Sequence, residues 1–252
     1  MAVGFSLAVT LPRAGNLGGG GFMLIYMKDR DEILAIDYRS QSPEGLTTDQ
    51  IFGVNLPDEY KKANRDIVRY GYKASTVPGT VSGLILAHSQ FGKLPLEVVM
   101  RPAIEQAREG VNVSYDLEQA IASAPQLSWD AESKRIYFHE GKPLKRGEVM
   151  KRPDLANTMN QISMNGLKGF YDGEVAEKIA SSMAINGGEI TTDDLKKYRA
   201  RFTQPIGVNY RGNKVYTHGP PSGGGIVLLT ALKVLEYFDL GKIGSNSATS
   251  YH

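Results

Sequence analysis

Asp37 and Arg39 stand two residues apart at the end of the strand-like run "EILAIDYRS", which Pro43 closes. In an extended chain that spacing puts both side chains on one face and Tyr38 on the other. An arginine at a strand end suits a carboxylate ligand, because its planar guanidinium donates two parallel hydrogen bonds to the two oxygens. The competing reading is a surface ion pair, Asp37 with Arg39 or with another cation, worth about 0 to 1 kcal/mol.

A second candidate is "AGNLGGGGF", in which Gly18, Gly19, Gly20 and Gly21 follow one another. Glycine costs conformational entropy wherever it is placed, so the run asks for a ligand or for a close backbone neighbour. A phosphate loop needs a lysine that is missing here, and the G-x-G-x-x-G register fails at Met23. The order is also reversed: phosphate loops run from strand into helix, whose N-terminus meets the anion. Here an apolar, helix-like run leads into a strand. A buried loop, where chain segments cross too closely for a Cβ, is the stronger reading.

In "GPPSGGGIVLL", Ser222 can cap a helix that opens on three glycines. Such a helix start can hold an anion, but no lysine is near, which favours close packing of the helix on a strand. Pro220 occupies the first glycine position of a G-x-S-x-G elbow, and no serine is followed three residues on by lysine. No hydrolytic constellation is complete within the chain. The absence of cysteine excludes disulfides, thiolate metal sites and a cysteine nucleophile. His88, His139, His218 and His252 form no H-x-x-H or H-x-x-x-H pair, so neither a metal nor another cofactor is implied.

The elements that must hold these residues follow from periodicity. "FMLIYMK" and "EILAIDYRS", joined by "DRD", predict a β-hairpin over residues 22–40. The first run is apolar almost throughout and is expected to be covered on both faces. "LTTDQIFGVNLPDEYKKANRDIVRYGYKAS" predicts a short helix and then an excursion. Helical patterns follow in "PGTVSGLILAHSQFG", in "PLEVVMRPAIEQAREG", where Pro102 is expected to kink or limit the helix, and in "SYDLEQAIASAPQL", capped by Ser114. Further helices fit "DLANTMNQISMNG", "DGEVAEKIASSMAINGG" and the short "TTDDLKKY". "IGVNYRGNKVYTHG" predicts a hairpin turning at residues 211–213, and "SGGGIVLLTALKVLEYF" a long helix. Two hairpins around a helical block make an α+β, or layered α/β, architecture.

The net charge of +2 comes from 29 basic and 27 acidic residues that are interspersed, so no nucleic-acid footprint is expected. No apolar run approaches the roughly 20 residues of a membrane span. The opening stretch lacks the pattern of a signal peptide. The chain reads as soluble, with the cytoplasm favoured over secretion. "AVGFSLAVT" resembles the buried end of a helix whose beginning is missing, and "GSNSATSYH" supplies capping serines without a helix to follow. Residues 1–252 therefore read as one incomplete domain, cut at both ends from a longer protein.

"AVGFSLAVTLPRAGNLGGGGFMLIY", "AIDYRSQSPEG" and "GPPSGGGIVLLTALKVLE", with "STVPGTVSGLILAHSQFGKLPLEVVMRPAIEQAREGV" between them, resemble the large-subunit portion of γ-glutamyltransferases. The resemblance covers nearly the whole chain and is weakest over residues 47–70. It implies an N-terminal-nucleophile hydrolase fold, a four-layered αββα sandwich that two subunits build after self-cleavage. It implies that Arg39 holds the α-carboxylate of a γ-glutamyl substrate; on the packing reading of the loop, Gly18, Gly19, Gly20, Gly21 and Asp37 are expected to support that clamp. The nucleophile it implies is a threonine at the new N-terminus of the small subunit, with its own α-amine as base. No catalytic residue is then expected in this chain, and the small subunit of the same precursor is the expected partner. The family's T-T-H-x-S motif is absent, since Thr47-Thr48 and Thr191-Thr192 are each followed by aspartate and read as helix caps. One departure is plain: relatives commonly continue R-E-x-A-P, whereas Arg39 is followed by Ser40, Gln41, Ser42 and Pro43. An acylase acting on another acyl group, and a non-catalytic relic serving as a binding module, are the alternatives.

Overall fold

The computed structural model describes residues 1–47, 49–50 and 69–252. They form two units, one of Met1–Gly21 with Tyr38–Ala200 and one of Phe22–Asp37 with Arg201–His252.

The first unit is built of helices. Helix α1 (Ala2–Thr10) buries Phe5, Ala8 and Val9 but leaves Val3 exposed. Helix α2 (Thr80–Phe91) stops at Gly92, as the pattern requires. Helix α3 (Leu96–Glu109) packs against α1 through Met100, Ala103, Ile104 and Ala107, the i, i+3, i+4, i+7 stripe of a one-sided helix. The limit expected at Pro102 does not occur. Pro102 lies on the exposed side, where water can take up the carbonyl that its missing N–H leaves open. Helix α4 (Tyr115–Ala122) starts on Ser114, whose Oγ accepts from the Leu117 N–H at 3.1 Å. Helix α5 (Pro153–Asn165) packs on α3, and α6 (Glu174–Ile185) follows.

Helix α7 (Thr192–Lys197) opens with a reciprocal cap: Thr191 Oγ accepts from the Asp194 N–H, and the Asp194 carboxylate accepts from the Thr191 N–H at 2.9 Å. Thr47 and Gln50 exchange the same pair of bonds. Thr48 and residues 51–68, which carry most of the expected helix and excursion, lie outside the described residues. Asp194 also accepts from the Glu44 N–H at 2.9 Å. Burial pushes the Asp194 carboxyl up, but the Glu44 N–H and the hydroxyl and N–H of Thr191 outweigh it and hold it below its ordinary value. A depressed carboxylate stabilises the fold above its unfolded pKa and loses that contribution as pH falls through its folded pKa. Asp194→Ala is therefore expected to cost about 1 kcal/mol near neutrality. In urea melts the gap to the parent protein should narrow as the medium is acidified below the ordinary aspartate range; a gap independent of pH would contradict this account.

In the second unit, β1 (Gly21–Met27) and β2 (Glu32–Tyr38) form the expected hairpin, turning through a 3-10 segment, Lys28–Arg30, and Asp31 at φ 48°. Strand β3 (Arg201–Thr203) pairs antiparallel with β2, with Asp37 opposite Arg201. The expectation that β1 is covered on both faces fails among the described residues, because Leu24 is 43% and Tyr26 58% exposed. Its apolar sequence signals a face that nothing described here buries.

Strands β4 (Pro205–Tyr210) and β5 (Asn213–His218) form the second hairpin, paired from Pro205–His218 to Tyr210–Asn213. Its two-residue turn, Arg211 at φ 48° and Gly212 at φ 80°, has the doubly positive φ that suits strand twist. Helix α8 (Gly223–Leu235) is capped by Ser222 Oγ, which accepts from the Gly225 N–H. A Cβ on Gly225 would lie 2.9 Å from Thr217 Oγ1, so this glycine serves close packing of α8 on β5. A short helix, Ala248–Tyr251, does follow the capping Ser247, where none is expected from sequence. Among the described residues no helix is long and apolar enough to cross a membrane.

Candidate functional site

Where β2 ends, the backbone of Tyr38, Arg39 and Ser40 runs through surroundings that admit almost no side chain, while the Arg39 side chain is exposed. On one side lies the glycine loop. A Cβ on Gly20 would lie 2.6 Å from the Tyr38 carbonyl oxygen and 2.9 Å from the Arg39 carbonyl carbon, and closer still to the Ser40 nitrogen. On the other side lies the start of α2. The Gly79 and Thr80 N–H groups both donate to the Gly19 carbonyl, at 2.7 and 3.1 Å. A Cβ on Gly79 would overlap the Tyr38 carbonyl oxygen and the Tyr198 hydroxyl, and one on Gly83 would overlap the Tyr38 ring.

Tyrosines complete the enclosure. The Tyr198 hydroxyl donates to the Arg39 carbonyl at 2.7 Å. Its ring stacks on Tyr171, centroids 5.8 Å apart and planes 14° from parallel. The Tyr171 hydroxyl donates to the Pro78 carbonyl at 2.8 Å and accepts from the Ser82 N–H at 3.1 Å. Burial pushes the Tyr171 phenol well above its ordinary value, and the Tyr38 phenol up as well, which keeps the Tyr171 hydroxyl protonated as a donor. Ser82 Oγ accepts from the Ala200 N–H at 2.9 Å, and Gln41 and Val77 exchange both backbone hydrogen bonds at 3.1 and 2.8 Å. A guanidinium on this segment starts from a fixed backbone, which lowers the entropy lost when it engages an anion.

The four consecutive glycines are not equivalent. Gly20 meets backbone, Gly21 would meet the Tyr38 ring at 2.9 Å, Gly19 only the Asn16 side chain at 3.1 Å, and Gly18 has ordinary room at 3.5 Å. None has positive φ, so close approach and not turn geometry is what restricts this loop. Asp37 is 7% exposed and accepts from Arg201 Nη2 at 3.1 Å. This contact comes from the strand opposite, through a side chain that is itself largely exposed.

His218 is a satisfied core residue. Its Nδ1 lies 2.9 Å from the Gly219 carbonyl, which can only accept, so that nitrogen donates, and Nε2 is hydrogen-bonded to the Thr203 hydroxyl at 3.0 Å. A cleft of about 890 Å³ opens between α5 and α6 beside Gly18; Arg39 does not line it. Among the described residues no group of three or more histidines and carboxylates is placed to hold a metal ion.

Tyr198, Tyr171, Gly79 and Gly83 escape the sequence reading. Gly83 had a signal, since a glycine inside a helix costs about 1 kcal/mol and so requires a packing reason. Gly79 had a weaker one, behind Pro78 at a helix start. The tyrosines had none, because partners 89 to 159 residues away leave no local pattern.

Over residues 1–252 the chain matches the family model described as Gamma-glutamyltranspeptidase. The glutathione hydrolase proenzyme of Escherichia coli (strain K12) is 42% identical over 251 residues, which are 98% of this chain and 42% of that protein. The crystal structure of Helicobacter pylori gamma-glutamyltranspeptidase superposes with a TM-score of 0.91 at 35% identity, covering 100% of this chain and 71% of that one. The Pseudomonas nitroreducens enzyme complexed with L-DON gives a TM-score of 0.87 at 37% identity, covering 100% and 72%. The fold is thus the layered α+β architecture of N-terminal-nucleophile hydrolases. The chain belongs to the gamma-glutamyltranspeptidase family and corresponds to its large-subunit portion. It spans about two fifths of the length of the E. coli relative.

Proposed function

We propose that this chain supplies the substrate clamp of an enzyme that transfers or hydrolyses γ-glutamyl groups, with amides such as glutathione as donors. The observation that carries this reading is the exposed Arg39 on an immobilised strand end. Its guanidinium would donate two hydrogen bonds to the donor's α-carboxylate, presenting the γ-carbonyl to the nucleophile. That nucleophile, a threonine heading the small subunit of the same precursor, would take the acyl group with its α-amine as base, and an amino acid, a peptide or water would then remove it. Gly18, Gly19, Gly20, Gly21 and Asp37 would serve as support, and residues 1–252 as part of one sandwich domain. The small subunit would cover the exposed face of β1 and the exposed Val227, Val234, Tyr237 and Phe238 on and beyond α8.

A second reading, an acylase for another acyl group, is favoured by Ser40, Gln41 and Ser42 standing where relatives commonly carry the E-x-A of R-E-x-A-P. The two separate by rate: the complete enzyme should release p-nitroaniline from γ-glutamyl-p-nitroanilide faster than it cleaves glutaryl or oxamate amides, and residues 1–252 alone should be inert. A T-T-H-x-S motif beyond His252 would support an enzyme; its absence would support a relic that only binds.

A further inference from the structure

We infer that Tyr198 is a positioning residue for Arg39, setting donor affinity through the Arg39 backbone without touching the donor. The inference rests on the reading of Arg39 as the carboxylate clamp. Three observations carry it. Tyr198 is 2% exposed and its hydroxyl donates to the Arg39 carbonyl at 2.7 Å, across 159 residues of chain. The ring is held independently of that bond, by its stacking on Tyr171, which is itself tied to Pro78 and Ser82. Finally, Gly79 is kept free of a side chain at the point where a Cβ would overlap both the Tyr198 hydroxyl and the Tyr38 carbonyl. The space around one hydroxyl is thereby reserved against the backbone that carries the clamp.

A carbonyl that loses its donor is drawn toward water or toward another partner. Here the shift would fall on the residue whose side chain meets the substrate. A bidentate contact is sensitive to such displacement, because both hydrogen bonds depend on one plane and one origin. The threonine chemistry lies outside this chain, so its rate constant is not expected to change.

The test is steady-state kinetics of the complete, self-processed enzyme with γ-glutamyl-p-nitroanilide, comparing the parent, Tyr198→Phe, Arg39→Ala and the double variant. Tyr198→Phe retains the ring and its stacking and removes only the hydroxyl. It is expected to raise KM about five-fold, the equivalent of one net hydrogen bond, with kcat within about two-fold. In the Arg39→Ala background the same change should lower kcat/KM by less than about two-fold, because its route of action is gone. A purely structural role would slow self-processing or lower the melting temperature and would act equally in both backgrounds. Full additivity, or an unchanged KM in Tyr198→Phe while Arg39→Ala raises it, overturns the inference. An unchanged KM in Arg39→Ala overturns the clamp reading, and this inference with it.

Discussion

Arg39→Ala in the complete enzyme is expected to weaken γ-glutamyl donor binding by about 2 to 5 kcal/mol, as when one partner of a hydrogen-bonded charge pair is removed and the other is left without it. The reason lies in geometry as well as charge. Arg39 leaves β2 at a point where Gly20, Gly79 and the Tyr198 hydroxyl fix the backbone, so little of the contact energy is spent on ordering the clamp. Arg39→Lys should recover only part of the loss, since an ammonium cannot offer the two parallel donors that match a carboxylate. Because the nucleophile is expected outside this chain, the loss should appear mainly in KM. A KM unchanged in Arg39→Ala would remove the basis of the functional reading.

Gly79→Ala is expected to be among the most damaging single-atom additions in the first unit, at about 3 kcal/mol or more, the upper end for overpacking. The added Cβ would overlap the Tyr38 carbonyl oxygen and the Tyr198 hydroxyl; the first is backbone and cannot rotate away. Relief would require α2 to withdraw, which would break the bonds from Gly79 and Thr80 to Gly19. Gly20→Val should be of the same order, since its Cβ alone would press on the Tyr38, Arg39 and Ser40 backbone. Gly19→Val, which first displaces the flexible Asn16 side chain, should cost less, and Gly18→Ala should be within about 0.5 kcal/mol of the parent. Yields of processed enzyme and melting temperatures would rank the four. Equal tolerance of Gly18→Ala and Gly79→Ala would show that the close approach does not constrain the fold.

How far the site was legible depended on the range of the interactions involved. The hairpin that ends on Arg39 follows from alternation and the charged turn, and the caps at Ser114, Thr191 and Ser222 follow from side chains that reach only two or three residues. The glycine cluster was visible as an anomaly, but which glycine mattered was not, because the answer lies in segments from 38 to 40 and around 79. The second cover expected on β1 is not supplied by the described residues, since a hydrophobic run does not record which chain is to bury it. The limit expected at Pro102 failed because the effect depends on the side of α3 the residue occupies, and a single proline does not reveal that.

The most direct test compares two donors on the complete enzyme: γ-glutamyl-p-nitroanilide and the 4-aminobutanoyl anilide, which keeps the amine and the scissile amide but lacks the α-carboxylate. With the parent enzyme kcat/KM should favour the first by about 30-fold or more, the lower end of the clamp's expected contribution. In Arg39→Ala the preference should collapse to within a few-fold, because the carboxylate would have lost the group that recognises it. A preference that survives intact in Arg39→Ala would contradict the assignment of Arg39 as the carboxylate clamp.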